Sequence, residues 1–125
     1  MISDITGIIL IDHGSKRTAA NAQLLEVVSL FQKTSGARIV EPAHMELADP
    51  TLAEAYAACV EQGATEIIIH PYFLAPGRHS TSDIPRLAEE AAALYPLIPY
   101  RITKPLGVDT RICEVIQQRI DDAGQ

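Results

Sequence analysis

The sequence predicts an α/β domain built on a four-stranded parallel sheet of order 2-1-3-4, with helices on both faces. Three observations predict it. Short apolar runs alternate four times with segments of helical period, the pattern of strand–helix units whose right-handed crossovers make the strands parallel. Two runs, Gly7-Ile8-Ile9-Leu10-Ile11 and Glu66-Ile67-Ile68-Ile69, are rich in isoleucine and do not alternate with polar residues, as expected of strands buried on both faces. The other two, Ala37-Arg38-Ile39-Val40 and Tyr100-Arg101-Ile102-Thr103, each carry an arginine and read as edge strands.

The helices follow in order. Leu24, Val27, Val28 and Phe31 recur at i, i+3, i+4, i+7, which predicts a first helix over about residues 17–34, ended by Gly36. Asp49-Pro50 reads as an N-cap followed by proline at the first helical position. Leu52, Ala55, Tyr56, Cys59 and Val60 then make one face, and Gly63 marks the stop. Ile84, Leu87, Ala88, Ala91, Leu94 and Tyr95 form the face of a third helix ended by Pro96. Asp109 caps a fourth, which carries Ile112, Val115, Ile116 and Ile120.

Composition narrows the class. With 125 residues, 47% of them hydrophobic and 21% charged, the chain fits one domain over residues 1–125 whose core needs no disulfide. No apolar run reaches the roughly 18 residues of a membrane span, and Met1-Ile2-Ser3-Asp4 does not begin a secretory signal, so a cytoplasmic protein with no membrane partner is the expectation. A net charge of −6 argues against nucleic acid, and any anionic ligand must meet a local positive cluster. Cys59 and Cys113 form no CxxC pair; both fall among apolar neighbours in helices and are expected to be buried structural thiols.

In a sheet of this order the ligand crevice opens at the carboxyl ends of the strands, between strands one and three. Asp12-His13-Gly14-Ser15-Lys16-Arg17 follows strand one, and the segment from Glu41 to Asp49, with His44 and Glu46, follows strand two. After strand three comes the segment from His70 to Asp83, with Arg78 and His79. All 4 histidines therefore lie in or beside three loops at one end of the sheet. The third loop, about 13 residues, exceeds the roughly two to six usual for such connections, which points to function. Two imidazoles and a carboxylate suit a borderline divalent ion such as Fe²⁺, Co²⁺ or Zn²⁺.

Plainer readings stand beside this one. His13 serves equally well as a loop or helix-capping group, while His44 and His70, at strand ends, read more readily as structural. Glu46 is equally a solvated acid and Arg78 equally a surface charge, and Ser80, Thr81, Ser82 and Asp83 are all good N-caps. His13-Gly14-Ser15 before a helix could cradle a phosphate, but it has neither P-loop nor dinucleotide spacing.

Ile11-Asp12-His13-Gly14-Ser15, the run from Glu41-Pro42-Ala43-His44-Met45-Glu46 to Pro50, Pro76-Gly77-Arg78-His79 and Asp83-Ile84-Pro85 together resemble the small class II sirohydrochlorin chelatases. The resemblance runs from about Gly7 to Ile120 and is nearest to the plant and cyanobacterial type, a sirohydrochlorin ferrochelatase. It implies a chelatase-like, flavodoxin-like fold and a homodimer, longer relatives looking like two copies of this unit fused. It also implies metal handling by His13 and His79 with help from Glu46, and insertion of Fe²⁺ into sirohydrochlorin. Plant members carry cysteines for an iron–sulfur cluster beyond this C-terminus; the sequence has none after Cys113, so neither that cluster nor another permanent cofactor is expected. Ser15, Lys16, Arg17 and Arg78 are the groups expected to meet the substrate's carboxylates. The alternatives are a cobaltochelatase, the same ligands serving Co²⁺, and a non-enzymatic carrier of tetrapyrrole or metal.

Overall fold

The computed structural model describes residues 2–77 and 82–124. Four strands and four helices alternate: β1 (Thr6–Asp12), α1 (Thr18–Ser35), β2 (Ile39–His44), α2 (Leu52–Glu61), β3 (Glu66–Pro71), α3 (Ile84–Ala92), β4 (Tyr100–Ile102) and α4 (Thr110–Ala123). The sheet has the order β2-β1-β3-β4, as the isoleucine runs predict, and every pairing is parallel. β1 lies at the centre because it is the strand that is buried on both faces: Ile9 and Ile11 point into one core, Ile8 and Leu10 into the other.

The larger core lies under α2 and α3. Ile9, Ile11, Ile39, Ala43, Ile67 and Ile69 of the sheet meet Leu52, Ala55, Tyr56 and Cys59 of α2 and Ile84, Ala88 and Ala91 of α3. Tyr56 is fully buried there, and its hydroxyl donates to the Ile98 carbonyl at 2.8 Å, so the one polar atom of a large ring is satisfied. Leu24 and Val28 of α1 cover Ile8, Leu10 and Val40 on the opposite face.

Several expectations are corrected. The second strand runs on past Val40 to His44, so Glu41 to His44 belong to the sheet and not to a loop. Pairing with β1 decides this: Ile9 to Asp12 sit opposite Glu41 to His44, and a central strand imposes its ladder on a sequence that carries a proline. The cap of α2 is Thr51, not Asp49. Its hydroxyl accepts from the Glu54 N–H at 3.2 Å while the Glu54 carboxylate accepts from the Thr51 N–H at 2.9 Å, a reciprocal capping box. Pro50 therefore lies outside the helix, after a cis peptide bond. α3 ends at Ala92, short of Pro96. Cys59 is buried as expected, and burial pushes its thiol up to about 12; Cys113 is exposed, because no residue of α4 is buried. Among the described residues α4 joins neither core, and α1 is the helix that supplies the core on the second face of the sheet.

Gly7 fixes how closely α2 approaches the central strand. A Cβ there would stand 2.8 Å from the Cys59 Cβ and 3.1 Å from the Ala64 Cβ. Gly7→Ala is therefore expected to destabilise the fold by about 1–3 kcal/mol through overpacking, read as a lower midpoint in urea; an unchanged midpoint would show that α2 yields without cost.

Candidate active site

The parallel ladder between β1 and β2 continues beyond the strands. Asp12 and His44 are opposite each other in register. The Met45 N–H then donates to the Asp12 carbonyl at 2.9 Å, and the Glu46 N–H to the His13 carbonyl at 3.2 Å. This backbone continuation sets the Glu46 side chain beside that of His13, with Oε1 3.5 Å from Nε2 and both side chains about half exposed. Gly14 makes the approach possible. Its φ is 91°, and a Cβ there would fall 1.8 Å from the Glu46 carbonyl oxygen. Leu47, next to Glu46, has φ 69°, a left-handed backbone that a side-chain-bearing residue adopts at a cost; such strain gathers at functional loops.

Beneath this pair lies a second one. The His44 ring is only 2% exposed, and its Nδ1 lies 2.6 Å from the Asp12 carboxylate, so His44 is the buried support of Asp12. Asp12, His13, Gly14, Ser15, Ala20, Asn21, Tyr72 and Phe73 line a cavity of about 300 Å³ at the carboxyl ends of β1 and β3, the switch point of the sheet. Ser15 is tied into its wall. Its N–H donates to Asn21 Oδ1 at 3.0 Å, its carbonyl accepts from Asn21 Nδ2 at 2.7 Å, and its hydroxyl accepts from the Arg17 N–H. Lys16 and Arg17 are exposed where the β1 loop enters α1.

The segment after β3 starts from a fixed base. The Tyr72 N–H donates to the Ile11 carbonyl at 2.7 Å, while the Leu106 and Gly107 N–H groups donate to the Phe73 and Leu74 carbonyls at 2.9 and 2.8 Å. Arg78 and His79 lie outside the described residues. Arg86 pairs with Glu90 at 3.4 Å and Asp83 at 3.9 Å. Among the described residues no three of His, Cys, Asp and Glu come together as a metal-binding group; those residues bring His13 and Glu46 together. Sequence reasoning passed over Asp12, Asn21 and Tyr72 as lining groups. A carboxylate at the end of a central strand, and an asparagine in the first turn of a helix where it is a poor helix former, were the available signals.

His70 stands apart from this cluster, on β3. Its Nδ1 lies 2.8 Å from the Thr103 hydroxyl, and half-burial holds its pKa below the usual value, against a smaller opposing effect of a hydrogen bond to the Lys104 backbone.

Fold and site define a parallel α/β domain that carries an imidazole–carboxylate pair over a cleft at the carboxyl edge of its sheet. A family model described as CbiX matches residues 7–123, nearly the whole chain. The chain belongs to the CbiX family. It is 47% identical over 119 residues to the chloroplastic sirohydrochlorin ferrochelatase of Arabidopsis thaliana, a match that covers 95% of this chain and 53% of that protein. It is 32% identical to the sirohydrochlorin cobaltochelatase of Methanosarcina acetivorans, covering 94% of this chain and 95% of that one. Among solved structures, SirB from Bacillus subtilis with Fe³⁺ superposes with a TM-score of 0.88 at 28% identity, over 96% of this chain and 48% of that chain. The chain thus spans about half the length of the Arabidopsis and Bacillus proteins and nearly all of the Methanosarcina one. Among the described residues no helix is long and apolar enough to cross a membrane.

Two outcomes are expected. Gly14→Ala should cost about 2–4 kcal/mol, from the steric conflict plus the backbone strain, and calorimetry that finds the melting temperature unchanged would contradict the close approach. For His70 the neutral form is the one the fold favours. Its contribution is therefore complete above the unfolded pKa of about 6.5 and is lost as pH falls through the lower folded value. The urea midpoint of the wild type should drop between pH 7.5 and 5.5 by more than that of His70→Gln; equal drops would remove the effect.

Proposed function

We propose that this chain inserts Fe²⁺ into sirohydrochlorin to give sirohaem, a chelatase reaction. The observation that carries the reading is the His13–Glu46 pair, 3.5 Å apart and half exposed, whose His13 lines the cleft; the names of the Arabidopsis and Bacillus relatives supply the tetrapyrrole and the iron. Metallation must strip water from the ion, remove two pyrrole N–H protons and bring the ring nitrogens to the metal. The ion is a substrate, and no resident cofactor enters the proposal.

His13 Nε2 and the Glu46 carboxylate replace waters on the incoming ion, and His79 is the third donor in this reading. The same groups accept the two protons as the metal–nitrogen bonds form, one M²⁺ entering for two H⁺ leaving. Imidazole suits both tasks, being a good ligand for borderline metals and a base near neutral pH. The His44–Asp12 pair keeps the end of β1 rigid beneath His13, so the ligands are positioned before the ion arrives. Ser15, Lys16, Arg17 and Arg78 face the rim carboxylates of the macrocycle in this proposal. Lys16 and Arg17 are exposed beside the cleft and supply the local positive charge that a chain of net charge −6 needs there. The working unit is a homodimer in the cytoplasm, with no nucleic-acid or membrane partner; the Arabidopsis relative's printed location makes the chloroplast the other compartment to test.

A second reading, insertion of Co²⁺, is favoured by the Methanosarcina relative, which this chain matches along nearly its whole length. Anaerobic incubation with sirohydrochlorin and Fe²⁺, Co²⁺ or Ni²⁺, followed by absorbance, decides between the metals, and product in excess over protein separates an enzyme from a carrier. His13→Ala and His79→Ala should each lower the metallation rate about 10²-fold or more with an unchanged far-ultraviolet circular dichroism spectrum. Near-normal rates in either folded variant would remove the proposed roles.

A further inference from the structure

Leu47 combines two features that do nothing for the fold. With φ at 69°, it is the only residue other than glycine, among the described residues, that has a left-handed backbone. A Cβ crowds the backbone there, and glycine or asparagine would adopt the same conformation more readily. The residue is also 56% exposed, so its aliphatic side chain stands largely in water. Exposure alone carries little weight, since Leu94 and Leu97 are more exposed and lie before β4, at the opposite end of the sheet. Among the described residues, Leu47 alone joins an unfavourable backbone to an unfavourable surface.

The bonds around it hold this conformation. The Met45 and Glu46 N–H groups donate to the Asp12 and His13 carbonyls, and the His44 N–H donates to the Pro50 carbonyl at 2.8 Å, closing the loop across its neck. Glu46 is thereby fixed beside His13, and Leu47 follows it in the middle of the loop. Strained residues persist where the surrounding structure over-determines them, and they gather where the chain has a task besides folding.

The neighbouring loops indicate the task. β1 lies between β2 and β3, so the loop bearing His13 runs between the one bearing Leu47 and the one bearing Phe73 and Leu74. Phe73 lines the cleft, and Leu74 is exposed while its carbonyl accepts from the Gly107 N–H. Apolar side chains therefore stand on both flanking loops, whose strands lie two sheet spacings, roughly 10 Å, apart. A polar centre with an apolar flank on either side fits a flat ring system that has apolar faces and nitrogen donors at its middle.

We propose that Leu47 is a substrate-contact residue whose side chain packs against one face of the tetrapyrrole while His13 and Glu46 hold the ion. The inference rests on the chelatase reading and adds to it a residue that seats the macrocycle over the ligands. Seating the ring takes the leucine surface out of water, which gives the macrocycle affinity. Because Leu47 adjoins Glu46, the position of the ring is tied to the position of a metal ligand. Leu47 supplies contact and no chemistry, so its loss falls on the affinity and KM for the macrocycle and not on kcat.

Titration of metal-free sirohydrochlorin into the full chain, followed by absorbance, tests this together with steady-state metallation and urea unfolding. Leu47→Asn accepts the left-handed backbone but lacks the apolar side chain, and should raise the sirohydrochlorin Kd and KM about tenfold. Its kcat should stay within about twofold of wild type, and its urea midpoint should lie at or above that of wild type. Leu47→Met, which restores apolar surface, should bind the macrocycle within about threefold of wild type. A Leu47→Asn variant that binds the macrocycle as wild type does overturns the inference, as does one whose kcat falls at unchanged KM. A lowered urea midpoint assigns the leucine to the fold, and altered sedimentation at unchanged macrocycle affinity assigns it to a protein contact; either result also overturns the inference. A wild type that neither binds nor metallates sirohydrochlorin removes the chelatase reading and this inference with it. A wild type that metallates, beside a Leu47→Asn variant of equal KM, removes the role of Leu47 alone.

Discussion

The pairing between β1 and β2 runs on past the last residue of both strands, and the site is built on that continuation. Backbone bonds from Met45 to Asp12 and from Glu46 to His13 carry the two segments forward in step. Whatever follows β1 is thereby held beside whatever follows β2. Gly14 is the condition for it, since the space a Cβ would occupy belongs to the Glu46 carbonyl. His13 and Glu46, 33 residues apart in sequence, become neighbours by register alone.

A buried polar pair stiffens this junction. The His44 ring is buried at the end of β2, where an unpartnered nitrogen would be costly, and the Asp12 carboxylate answers it. One residue past the end of β1 is His13, half exposed. The sheet thus grades over one step of chain from a satisfied buried pair to an accessible one, a rigid base under an exposed imidazole–carboxylate pair. Among the described residues no buried side-chain polar atom lacks a hydrogen-bond partner.

The two faces of the sheet are unequal. α2 and α3 bury one face across its width, with the tyrosine cluster of Tyr56, Tyr95 and Tyr100 closing its far edge. The other face is covered only as far as α1 reaches. Among the described residues α4 adds nothing to either core, and its apolar stripe stays exposed.

Strand count, order and parallel sense were legible because buried strands cannot hide their composition: isoleucine without alternation marks β1 and β3 wherever they lie. The first helix and the ligand end of the sheet followed from periodicity, and His13 and Glu46 from the loops that such a topology brings together. The length of β2 was not legible, since Glu41-Pro42-Ala43-His44 has no strand signal of its own and takes its conformation from the ladder that β1 offers. Thr51 was passed over as the cap of α2 because Asp49-Pro50 carries the same local signature two residues earlier, and only the chain path chose between them. The burial of Cys113 was misjudged for the reason that α4 was: periodicity shows that a helix has an apolar side, not what lies against it. Sequence by itself determined which segments become strands and helices and which chemistry gathers at one end. Tertiary structure decided the 3.5 Å meeting of His13 with Glu46, the support of Asp12 by His44, and the exposure of α4, because each depends on the register and packing of segments far apart in the chain.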